Sequence, residues 1–218
     1  MPESERVQSR ATELGVVLAL LTLLGAWDGV VALLGPPDTN PAHPAIVETA
    51  LATFCGWCLA ACWALGGGVG RGEVRLVYTW GCAMCFLHIA VAFHLAHAWS
   101  HEAALAHVEA ASRFGAGLYV NYLFAAVWLA DAVWMWVGFG SYLRRPGWVN
   151  RGVHGFLAFV VFNAAVVFNT GFTRAVCALF FAALAARAFR TRRAGNARTR
   201  PGPGSSVASP RGAGHSPT

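Results

Sequence analysis

VRLVYTWGCAMCFLHIAVAFHLAHA, residues 74–98, decides the fold: a single arginine opens it, three histidines punctuate it, and the rest is apolar, aromatic or small. Roughly 20 such residues cross the hydrocarbon core of a bilayer. The stretch reads as a transmembrane helix, with His88 near its middle and His94 and His97 toward one end.

Composition extends that reading to the whole chain. Of 218 residues 56% are hydrophobic and 12% charged, with mean hydropathy +0.51; about 25% charged residues is usual for a soluble domain. The net charge of +6 comes from arginine, since no lysine occurs. No arginine cluster is interleaved with aromatics on a polar surface and no nucleic-acid module is recognisable, so a nucleic-acid partner is not expected. A bilayer is the expected partner, with a homo-oligomer or a larger membrane complex as further possibilities.

Working outward, apolar runs at 14–34, 46–65, 74–98, 117–137, 153–169 and 175–189 predict an all-α integral membrane protein of six transmembrane helices. A cytoplasmic segment at 1–12 precedes a transmembrane domain over 13–190, and the Arg/Gly/Pro/Ser-rich tail at 191–218 has too little to bury to fold. Mixed charges ahead of the first run, with no small-x-small site after it, fit an uncleaved span better than a signal peptide. GGGVGRGEVR at 66–75 lacks the spacing of a phosphate loop and reads as a tight turn. Arg6 and Arg10, Arg71 and Arg75, Arg144, Arg145 and Arg151, and the tail alternate with connections holding only Arg113 and Arg174. The positive-inside rule therefore puts both termini in the cytoplasm and the protein in a plasma (inner) membrane.

Ionisable groups in spans mark function or internal pairing. His88, Asp131, Asp28, Glu48, Asn121 and Asn163 are the intramembrane polar residues, and interhelical hydrogen bonding is the simpler role for the aspartates and asparagines. His88 and Asp131 are expected at comparable depth on neighbouring spans, as a His–Asp pair. Cys55, Cys58 and Cys62 share one helix face and Cys82 and Cys85 another. All six cysteines lie in apolar runs, which favours packing over a disulfide framework; a thiolate metal site is the alternative. A b-type haem needs two ligands at matched depth, which His88 and His154 do not offer.

The histidines at the outer end carry the leading functional reading. On one continuous helix His94, His97 and His101 form a stripe, and His97 and His101 at i, i+4 can chelate one ion. Glu102, His107 and Glu109 nearby, with Asp38, His43 and Glu48 from the first connection, supply nitrogen and oxygen donors suited to zinc, copper or nickel. The HxxxH pattern resembles a histidine box of membrane di-iron hydroxylases. Those enzymes need several boxes on the cytoplasmic side, and the one box here is assigned to the outer side. No nucleophile–base pair or cofactor fingerprint is present, so catalysis is not expected. The sequence thus predicts a non-enzymatic membrane protein binding a divalent metal at its outer face. The alternatives are a structural or assembly component of a membrane complex, and a redox protein with haem or thiolate-bound metal. An interfacial belt of aromatic and histidine rings, or a surface responsive to pH, would account for the same residues.

Overall fold

The computed structural model describes residues 19–20, 22–65, 72–167 and 171–198. Its elements are all helical: α1 (Thr22–Leu34), α2 (Pro44–Leu65), α3 (Gly72–Ala96), α4 (His101–Ser112), α5 (Gly117–Val137), α6 (Phe139–Leu143), α7 (Gly147–Phe162), a π-helical extension (Asn163–Val167) and α8 (Gly171–Arg198). Four stretches are long and apolar enough to cross a membrane: Pro44–Cys62, Gly72–Ala96, Gly117–Val137 and Gly147–Val167. The segment 1–12, the beginning of the first expected span, the glycine-rich turn with Arg71, and residues 199–218 of the expected tail lie outside the described residues.

Close approach between helices depends on missing side chains. A Cβ on Gly56 of α2 would stand 2.7 Å from the Cα of Gly81 on α3, so these two backbones touch directly. Small residues are favoured at such crossings because apolar side chains gain little by leaving lipid for protein. Trp128 of α5, fully buried, lies over Gly81 and fills the space left there. Gly25 and Gly29 let α1 approach α2 in the same way, against the Glu48 carbonyl and the Thr49 methyl.

The main core joins Trp57, Cys58, Tyr78, Cys82, Cys85, Trp128, Met135 and Leu157. Three of the cysteines are thus packing residues of this core, and all six are free thiols. Tyr78 beside Asp131, Gly81 beside Trp128 and Phe93 beside Tyr122 fix α3 and α5 as antiparallel neighbours. Phe54 and Trp57 pack on Phe180 and Phe181, and Arg187 acts electrostatically on Cys62, so α8 runs parallel to α2. One end of the bundle gathers Arg75, Arg144 and Arg145; the other gathers His94, His97, His101 and His107.

Three element boundaries differ from the sequence reading. Helix α3 stops at Ala96 because the chain reverses through Ala98 and Trp99, both with positive φ (44° and 62°). Ser100 then caps α4, its side chain accepting from the Ala103 amide at 3.2 Å. The helix of the fifth expected span begins at Gly147, directly after Pro146, so Arg151 lies within a helix and not in a connection. At the far end α8 continues through Arg198, past the expected boundary at 190.

Candidate functional site

The most concentrated polar chemistry inside the bundle surrounds Asp131 on α5. Its residue is 4% exposed, among apolar neighbours, and an unpaired carboxylate there would cost several kcal/mol. Three side chains answer it. Tyr78 of α3 donates its hydroxyl to Oδ2 at 2.9 Å, Tyr142 of α6 donates to the same oxygen at 3.2 Å, and Arg145 forms an ion pair through Nη1 to Oδ1. The two paired side chains are 3% and 2% exposed.

Local structure explains how an arginine outside α5 reaches into it. Gly138 ends α5 with a non-helical backbone (φ −130°, ψ 51°), α6 makes little more than one turn, and Pro146 directly precedes α7. Arg145 sits in that tight return, so its long side chain points back along α5, lying 4.0 Å over the Tyr142 ring. Its Nη2, with two hydrogens, is within reach of three acceptors: Tyr142 Oη at 3.1 Å, Asn150 Oδ1 at 2.6 Å and His154 Nε2 at 3.0 Å. Because arginine only donates, His154 receives through a bare Nε2 and carries its proton on Nδ1. The Tyr142 hydroxyl gives its hydrogen to Asp131 and accepts from Arg145. Burial, then the Asp131 charge, pushes its pKa up to about 12, so it stays a donor at neutral pH. Every member of the cluster bridges elements, tying α3, α5, α6 and α7 together.

His88 is elsewhere. It lies on α3 ten residues beyond Tyr78, about 15 Å along the axis at 1.5 Å per residue. At that depth it faces α2, its Nδ1 3.1 Å from the Ile46 carbonyl and 3.2 Å from Thr49 Oγ1. The expected His88–Asp131 pair is therefore not formed: Tyr78 occupies the level of Asp131. Asp28 and Glu48 meet across the α1–α2 contact. Asn163 donates to Phe159 O of its own helix at 2.8 Å, where the π-helical turn begins, and Asn121 is exposed on α5.

At the histidine end the expected stripe is broken by the end of α3. His94 uses both ring nitrogens internally: Nε2 donates to Gly35 O at 3.0 Å and Nδ1 accepts from Trp99 Nε1 at 3.1 Å. It staples the end of α1 to α3. His97 and His101 fall on opposite sides of the reversal at Ala98 and Trp99, so they do not make the expected i, i+4 pair. His101 stacks on Tyr122 with Nδ1 3.1 Å from its hydroxyl. His97 instead faces His107, which α4 brings back to a ring separation of 5.3 Å. Partial burial, and then the neighbouring His107, lower the pKa of His97. The Glu109 carboxylate accepts the Gly115 amide and so closes the α4–α5 turn, while Glu102 is exposed. Among the described residues no three His, Cys, Asp or Glu side chains converge on a point where one metal ion could sit.

Sequence reasoning missed Arg145, Tyr78, Tyr142 and Asn150. The available signal was an arginine beside a proline at a span end, whose stem can run along apolar surface toward a buried acid. Compared with known proteins, the chain matches no family model, no curated protein and no solved structure.

Proposed function

We propose that this chain is a six-span, non-enzymatic protein of a plasma (inner) membrane, with both termini cytoplasmic, serving as a structural component whose helices are registered by internal polar locks. The observation that carries this reading is the saturation of Asp131 by donors from three separate elements. Buried ionisable groups in a membrane commonly serve either transport or cohesion. Here the carboxylate's partners are the groups that hold the helices together, which favours cohesion. In this reading α1 and α8 are the first and sixth spans, supported by their packing on α2: Gly25 lies against Ala52 and Gly29 against Thr49, an antiparallel order, and Phe180 of α8 lies against Phe54. The test is unfolding in detergent. Asp131→Asn, nearly equal in size, should lower stability by about 3–5 kcal/mol, the usual cost of breaking a buried pair. An unchanged midpoint would end the cohesion reading.

A second reading has one specific observation in its favour. His97 and His107, with ring centroids 5.3 Å apart, offer two nitrogens at the outer end for a divalent ion such as zinc, copper or nickel. Water or a donor from another copy would complete it. Metal analysis of the purified protein decides this: an equivalent of metal lost in His97→Ala and His107→Ala supports it, and substoichiometric metal in the parent protein removes it.

A further inference from the structure

At the arginine end, on the lipid-facing side of the α3–α5 contact, a groove of about 260 Å³ runs from Thr79 and Trp136 to Phe86 and Leu129. Its floor is Cys82 and Ala132, both buried, and its walls are exposed apolar side chains. From Thr79 to Phe86 the groove follows two turns of α3, about 10 Å at 1.5 Å per residue. Those dimensions suit a flexible hydrocarbon chain lying against the bundle.

What stands at its mouth is more specific. Trp136 closes the groove there, its indole Nε1 donating to Thr79 Oγ1 at 2.7 Å. One turn before Thr79, the Arg75 guanidinium lies over Trp136 at 4.0 Å from the ring centroid and near Phe139 at 4.5 Å. Two aromatic rings hold the cation in place. No acceptor among the described residues meets it, and its Nε is buried without a hydrogen-bond partner. Arg145, the neighbouring cation, is committed to Asp131. A fixed arginine with unused donors, seated at the interfacial end of an apolar groove, complements a molecule with an anionic head and a hydrocarbon tail.

We propose that Arg75 and the α3–α5 groove form a binding site for an anionic phospholipid, the phosphate on Arg75 and one acyl chain between Thr79 and Phe86. The site is distinct from the Asp131 cluster and does not rest on the cohesion reading. Lipid binding at this seam bridges α3 and α5 from outside, as Tyr78 and Asp131 do from within.

The full-length protein in neutral detergent is titrated with phosphatidylglycerol or phosphatidylcholine, and bound lipid is read by native mass spectrometry. One arginine near a membrane surface should give about a fivefold preference for phosphatidylglycerol. Arg75→Gln should bring the two lipids to parity. Ala83→Trp, which fills the groove from its exposed side and leaves Arg75 untouched, should abolish the preference and supplies the reading if Arg75→Gln does not fold. Glycerophosphoglycerol, the headgroup without chains, should not compete. Equal binding of both lipids by the parent protein, a preference that survives both substitutions, or competition by the headgroup alone at lipid concentrations would overturn the site.

Discussion

Arg145 shows how a residue's role depends on where the backbone turns. By sequence it belongs to a basic connection; in the structure its guanidinium is the counter-charge of a carboxylate two helices back, on α5. Asp131 was legible as an intramembrane acid, since a charge inside an apolar run stands out. Its partner was not, because the pairing depends on the tight return through Gly138 and Pro146 and on the direction of a flexible side chain. The histidines show the same limit. A stripe at helical spacing presumes one helix, and two positive-φ residues, Ala98 and Trp99, end it. His97 and His107, juxtaposed by that reversal, give a prediction at this scale. The lowered pKa of His97 means that the unfolded chain binds its proton more readily than the folded one. The associated stability is therefore present above the ordinary histidine pKa of about 6.5 and is lost as pH falls below it. Unfolding midpoints measured from pH 7.5 to pH 5 should fall for the parent protein, and His107→Gln should lessen the fall. Curves that remain parallel would show that the two rings do not interact.

Between helices, contact is set by what the side chains leave out. Gly56 and Gly81 let the backbones of α2 and α3 touch, and the Trp128 ring covers the contact. Gly56→Ala must separate α2 from α3 or shift Trp128, a loss of about 1–3 kcal/mol on the scale of overpacked cores. Gly152→Ala, on α7 with nothing within 4 Å of the added carbon, should be neutral or gain up to about 1 kcal/mol. Denaturant unfolding of the two variants side by side checks the contrast; equal effects would mean that α2 and α3 do not meet at Gly56. Four long apolar helices were readable from composition and length, because hydrocarbon demands both. Their ends were less so: Pro146 begins α7 earlier than hydropathy alone suggests, since a helix can start in the polar interface before its apolar stretch. The core cysteines followed the expectation for small hydrophobes in the main cluster.

For the molecule as a whole, Arg75, Arg144 and Arg145 gather at one end of the bundle and His94, His97, His101 and His107 at the other, with His154 and Arg113 as exceptions, and that polarity carries the topological proposal. Cysteines placed at Ala111 on α4 and Leu143 on α6 should report opposite sides of the membrane. An impermeant maleimide should label Ala111→Cys in intact cells, and Leu143→Cys only after permeabilisation; labelling of both from outside would contradict six spans with internal termini. The helices are joined at several levels, by the glycine contacts, by the His94 staple and by the aromatic packing of α8 on α2. Among the described residues, only the Asp131 cluster joins four elements through buried charge. The most direct measurement of that claim is a double-mutant cycle on Asp131→Asn and Arg145→Met, by reversible unfolding of the full chain in detergent. If the pair is the lock, the double variant should lose less stability than the two single losses added together, with a coupling of at least about 1 kcal/mol. Additive losses would show that the two side chains act independently, and the central claim would fall.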